Sequence, residues 1–139
     1  MSRTNHWAVL VLVLVHQGLG FLWYSPFLFL NQWLTGLGKT KAQMNPSDPV
    51  PFIAAILASI VSCYIIAFLV DKTHSSTFGE GVMLGITLFL GLVVPAIAPH
   101  YLFAGVAKPV LLIDLSGSFV TTLITAVVLS VWQRKPREE

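Results

Sequence analysis

The sequence predicts an all-α membrane protein, a bundle of four transmembrane helices running up-down-up-down. Three observations carry this. Four apolar stretches, at about 6–30, 51–70, 80–104 and 109–132, take up most of the 139 residues. Each supplies the roughly 20 apolar residues that a hydrocarbon core about 30 Å thick requires. Charged residues are 10% of the chain and hydrophobic ones 55%, whereas an ordinary soluble domain is roughly 25% charged. The charges also avoid the apolar runs, and the mean hydropathy is +0.80. A soluble protein of this size could bury one or two such stretches, but not four. A single transmembrane domain over residues 1–139 is expected, with the lipid bilayer as its solvent.

Eight Lys/Arg against six Asp/Glu leave a net charge of +2, too little for a nucleic-acid surface. The single cysteine, Cys63, lies in the middle of the second span. It has no partner for a disulfide or a zinc site and reads as a small buried hydrophobe.

The first stretch begins like a signal peptide, with Arg3 ahead of the apolar run 7–15. No small-x-small cleavage site follows and the hydrophobicity resumes over 21–30, so a retained span is expected. His16 falls close to its midplane, beside Gln17, Gly18 and Gly20. An ionisable group at that depth needs a reason. A neutral histidine hydrogen-bonded across a helix interface is one, and a proton relay or cofactor ligand is another. With no second histidine at matching depth, haem or metal ligation is poorly supported, and no cofactor is expected.

The first connection, 31–50, is the longest. Apolar residues at Trp33, Leu34 and Leu37 share one helical face and suggest a short helix lying partly in the interface. Asn45-Pro46 and Asp48-Pro49 then signal turns. The second span carries small residues four apart, Ala54, Ala58 and Ser62, with Ala55, Ser59 and Cys63 beside them. Such faces let helices pack closely in lipid. The third span has Gly81-x-x-x-Gly85, and the fourth has Gly117, Thr121 and Thr125. These faces serve packing within one chain or contact between chains.

Towards its end the third span reads Val94-Pro95-Ala96-Ile97-Ala98-Pro99-His100-Tyr101. Each proline removes a backbone donor and crowds the carbonyl four residues back, so the helix is expected to kink or break at Pro95 and Pro99. A tight turn near 105–108 follows, with Pro109 suited to the first turn of the last helix. His100 and Asp114 lie at similar depth on either side of this turn, and Tyr24 falls at a comparable level. The expectation is a polar cluster of Tyr24, His100, Tyr101 and Asp114. It either satisfies itself and fixes helix register, or forms a ligand or ion site facing a cavity.

With four spans both termini share a side. Arg3, Lys72, Arg134, Lys135 and Arg137 on that side outnumber Lys39, Lys41 and Lys108 on the other, which favours cytoplasmic termini. Trp7 and Trp132 fall at one interface, and Trp23, Tyr24 and Trp33 towards the other. No nucleophile elbow, metal-ligand motif or phosphate loop is present, and Gly36-Leu37-Gly38-Lys39-Thr40 lacks the upstream glycine and strand of such a loop. No enzyme activity is expected.

The run Gly18-Leu19-Gly20-Phe21-Leu22-Trp23-Tyr24-Ser25-Pro26, with Phe29 and Trp33, resembles the first-helix signature of a bacterial membrane family, domain of unknown function 1761. The segment 95–103 with its His100-Tyr101-Leu102-Phe103 resembles that family's third helix. Leu111-Leu112-Ile113 and Val131-Trp132 resemble its fourth. The resemblance implies a small four-helix integral membrane protein of the bacterial inner membrane, without an assigned activity. It also implies an asparagine more often than an acid at 114, and a bulkier aromatic or histidine region at 116–118. The charge of Asp114 would then belong to this chain. The function expected is that of a homo-oligomer, or of an accessory subunit of another membrane protein, acting through helix contacts. A small oligomeric transporter or channel for protons, cations or a small solute is the alternative, and a cofactor- or lipid-binding protein a further one.

Overall fold

The computed structural model describes residues 4–133, which contain helices and no strand. Arg3, Arg134, Lys135 and Arg137, which dominate the charge bias, lie outside the described residues. Helix α1 spans His6–Trp23, α2 Leu30–Gly36, α3 Val50–Thr73, α4 Phe78–Leu88, α5 Val94–Phe103 and α6 Lys108–Val131. A π-helical turn, Phe89–Val93, joins α4 to α5, so the third span is helical throughout Phe78–Phe103.

Local chemistry sets these boundaries. The Asn5 side chain caps α1 by accepting from the Trp7 N–H at 3.1 Å. The helix stops at Trp23, well short of residue 30 and just ahead of Pro26, a residue type that disfavours the α region at the position before it. The turn that follows rests on the Ser25 carbonyl, which accepts from the N–H groups of Leu28 (3.1 Å) and Leu30 (3.2 Å). Helix α3 opens with proline in its first turn and closes on His74 at φ 54, where the Ser75 N–H bonds back to the Val70 carbonyl at 3.1 Å. A reciprocal Thr77–Glu80 capping box starts α4. Gly105, at φ +69, makes the tight turn before α6.

Four helical segments are long and apolar enough to cross a membrane. Only 11% to 28% of each apolar window is buried within the protein. Leu14, Phe21, Ile53, Leu57, Val61, Met83, Leu90 and Leu112 all face outward. An outer surface this apolar is that of a protein dissolved in lipid.

The core lies where α1, α3 and α6 meet. Ala8, Val9, Leu12 and Val13 interlock there with Cys63, Ile66, Ala67 and Val70, and with Ala126 and Leu129. Helix α4 lies along α6. A Cβ on Gly81 would sit 2.7 Å from the Val127 Cα, and one on Gly85 would sit 3.1 Å from the Leu123 Cα. The Gly81/Gly85 pair therefore serves packing inside the chain. In the second span the buried face is Ser59, Cys63, Ile66, Ala67 and Val70, whereas Ala54, Ala58 and Ser62 are exposed. The internal contact uses the neighbouring stripe because Ser59 accepts from the Gln17 side chain at 3.0 Å, fixing which side of α3 meets α1.

The third span does not stop at its prolines. Pro95 stands in the first turn of α5, and Pro99 lies inside it. The preceding turn widens so that the Val94 N–H reaches the carbonyl of Phe89, five residues back. Such a wide turn takes up one extra residue, so every residue after it is set back by about 100° relative to an uninterrupted α-helix.

Candidate functional site

Asp114 stands near the start of α6, two turns in, and its carboxylate is held by three aromatic side chains from three elements. The Tyr24 hydroxyl, at the end of α1, donates to Oδ1 at 2.5 Å. The Trp33 indole N–H, from α2, donates to the same oxygen at 3.1 Å. The Tyr101 hydroxyl, from α5, donates to Oδ2 at 3.0 Å. Tyr24 and Trp33 also meet edge to face, 5.2 Å between ring centroids. A carboxylate offers about four lone-pair positions, so three donors leave one on Oδ2 open. Among the described residues no Lys, Arg or His side chain is bonded to Asp114.

Each donor arrives for a local reason. Pro26 ends α1 where Tyr24 reaches α6. Helix α2 brings Trp33 in because Leu34 is buried and Gly36 lies against Ala107, which caps α6, and Val110 in its first turn. Any side chain at Gly36 would meet Val110 and push the short helix off. The extra residue in the π-helical turn brings Tyr101, and not His100, to face α6.

That last point corrects the expected cluster. His100 is exposed and makes no hydrogen bond to Asp114, and its ring only lies beside that of Tyr101, 6.3 Å between centroids. An uninterrupted helix would put residue 100 about where 101 now stands. Depth along the chain places the two residues at the same level, but helical phase separates them.

Trp23 ties α1 to α6 beside the carboxylate. Its indole N–H donates to the Ile113 carbonyl at 3.0 Å. A Cβ on Gly117 would come within 3.1 Å of that nitrogen, so Gly117 makes room for the indole. Of the signature residues, Trp23, Tyr24 and Trp33 thus form the site itself, while Ser25 and Pro26 shape the turn that positions them. The Ser25 hydroxyl is buried without a hydrogen-bond partner.

From this point a cleft of about 190 Å³ runs between α1 and α6 towards the middle of the bundle. Tyr24 and Asp114 line one end and His16 and Thr121 the other, with Trp23, Leu19, Gly20 and Val120 among the residues between them. His16 Nε2 lies 2.7 Å from the Thr125 hydroxyl. That hydroxyl spends its one proton on the Thr121 carbonyl, also at 2.7 Å. The histidine is therefore the donor at Nε2, and Nδ1 is left as an acceptor. Gln17, beside it, donates to the Ser59 hydroxyl and so ties α1 to α3. Beneath His16 the bundle closes on fully buried Leu12, Thr125, Cys63 and Ala126.

Among the described residues no group of three or more His, Cys, Asp or Glu could hold a metal ion. Trp33 and Trp23 are the members of this arrangement that reasoning from sequence assigned only to the interface. Their signal was present in the signature run and in the helical spacing of 33, 34 and 37.

The family described as "Protein of unknown function (DUF1761)" matches residues 7–130. No curated protein and no solved structure matches the chain. Since the match runs from the first turn of α1 almost to the end of α6, and so across every element that builds the cleft, the chain belongs to this family of unknown function.

Proposed function

We propose that this membrane protein binds a small cationic solute in the cleft between α1 and α6, with Asp114 as its counter-ion. The observation that carries the reading is a carboxylate inside an apolar span with aromatic donors, no cationic partner among the described residues, and one lone pair open beside a cleft. A charge at such depth is costly unless it is paired or functional. The three donors hold the carboxylate in place without neutralising it, so an arriving cation supplies the missing charge. The role is binding from one end of the bundle. The closed layer of Leu12, Thr125, Cys63 and Ala126 gives a single chain no continuous path across. Transport would need that layer to open or a second copy to complete a path. On the Lys/Arg bias the cleft opens away from the cytoplasm.

The test is a titration of the purified protein in lipid nanodiscs with methylammonium and with sodium, followed by the fluorescence of the site tryptophans. Saturable quenching or enhancement is expected for wild type and for Asp71→Asn, and is absent in Asp114→Asn. A flat response in wild type, or one that survives in Asp114→Asn, rejects the reading.

Association through helix faces is the second reading. It rests on the exposed Ala54, Ala58 and Ser62 stripe, which the internal packing leaves free. Disulfide cross-linking of Ala58→Cys in native membranes is its test, and a monomer under oxidising conditions counts against it.

A further inference from the structure

Assuming the cleft binds a cation at Asp114, the remaining contents of the cleft specify what kind. We infer that the ligand is an unbranched organic ammonium bearing a second, uncharged hydrogen-bond donor at its far end. Four features of the cleft lead there.

Metal ions are poorly served. Calcium takes six to eight oxygen ligands and magnesium a near-ideal octahedron. Here one carboxylate with a single open lone pair is, among the described residues, the only acid lining the cleft. An ammonium group asks for less. It needs one strong acceptor, and it gains from aromatic faces close by. Trp23 and Tyr24 line the cleft at the carboxylate end. Their polar atoms are already committed, to the Ile113 carbonyl and to Asp114, so what remains for a ligand is ring surface.

The middle of the cleft is mostly apolar, with the Ser118 side chain also lining it. Leu19, Gly20 and Val120 line it, and the Thr121 hydroxyl donates to its own helix, to the Gly117 and Ser118 carbonyls, each at 3.1 Å. Methylene groups suit this stretch. At the inner end His16 lines the cleft, and Nδ1 is the acceptor left over once Nε2 is bonded to Thr125. The ring also lies against the Thr121 backbone carbonyl, and among the described residues no side chain is hydrogen-bonded to Nδ1. An acceptor so deep in a membrane protein matches a donor that carries no charge, a hydroxyl or an amide N–H, better than a second ammonium. Eight residues separate His16 from Tyr24 along α1, about 12 Å of helix axis at 1.5 Å per residue. A volume of about 190 Å³ has room for several waters. Those dimensions fit a short unbranched amino alcohol, with the ammonium at Asp114 and the hydroxyl donating to His16 Nδ1.

The experiment compares 6-amino-1-hexanol with hexylamine on the whole protein in nanodiscs, with empty nanodiscs as the partitioning control. Wild type is expected to bind the amino alcohol about five- to tenfold more tightly, the worth of one buried hydrogen bond. His16→Phe, which fills the space but offers no acceptor, should abolish that advantage. A chain-length series in wild type, from 4-amino-1-butanol to 8-amino-1-octanol, should show an optimum and needs no variant to fold. Equal binding of alcohol and amine, or an advantage that persists in His16→Phe, overturns the two-point ligand while leaving cation binding at Asp114 intact. Magnesium binding more tightly than either amine also overturns it. Hexylamine binding that ignores Asp114→Asn removes the reading on which the inference rests.

Discussion

Replacing Gly81 with alanine tests the α4–α6 contact on which the third and fourth spans depend. The new methyl carbon would sit 2.7 Å from the Val127 Cα, 3.1 Å from the Ala126 carbonyl oxygen and 3.1 Å from the Ser130 Cβ. Carbon atoms prefer about 3.5–4.0 Å, so the helices must part by about 1 Å at that level. Two of the three obstacles are backbone and cannot swing aside. Overpacking of this kind costs about 1–3 kcal/mol, or roughly 5- to 150-fold in the unfolding equilibrium. Gly85→Ala should cost less, because its nearest contacts begin at 3.1 Å and include the movable Leu123 side chain. The double variant should cost less than the sum, since the first displacement makes room for the second methyl. Gly18→Ala, with nothing within 4 Å of the new atom, is the control. Reversible unfolding in mixed micelles reads all four. If Gly81→Ala is as stable as Gly18→Ala, α4 and α6 do not approach as described, and the internal use of the Gly81/Gly85 face is wrong.

Two further outcomes follow from the carboxylate site. Tyr24→Phe and Tyr101→Phe should each destabilise the protein by about 1.5–3 kcal/mol, the cost of removing a donor from a charged acceptor. In an Asp114→Leu background each should cost less than ~0.5 kcal/mol; equal costs in both backgrounds would show that the hydroxyls act elsewhere. Deleting Leu92 should return the π-helical turn to α-helical register and keep Tyr101 opposite Asp114, because the shortened helix no longer carries the extra residue. Tyr101→Phe should then keep its full cost in the shortened chain, and a cost that vanishes would mean that the turn does not set the phase of α5.

The sequence by itself determined the solvent and, through it, the class of fold. Four apolar runs of bilayer length with few charges leave no alternative to membrane-spanning helices, because unpaired backbone groups cannot face lipid. It also marked Tyr24, His100, Tyr101 and Asp114 as a cluster, since residues flanking short turns must share a depth, and of these the structure joins Tyr24 and Tyr101 to Asp114. The short helix around Trp33 was legible from its spacing, and the family from its signature run. Rotation about each helix axis was not legible. Depth is fixed at 1.5 Å per residue, but which face meets which neighbour depends on phase, and one additional residue in a turn changes phase by about 100°. That is why the tertiary structure turned Tyr101 to Asp114 and left His100, expected in the same cluster, outside it. It is also why Ser59 and Cys63, rather than Ala54, Ala58 and Ser62, were turned inward. Only the folded bundle could open a cleft between α1 and α6, because it forms where the two helices part between the Trp23–Ile113 and His16–Thr125 bonds.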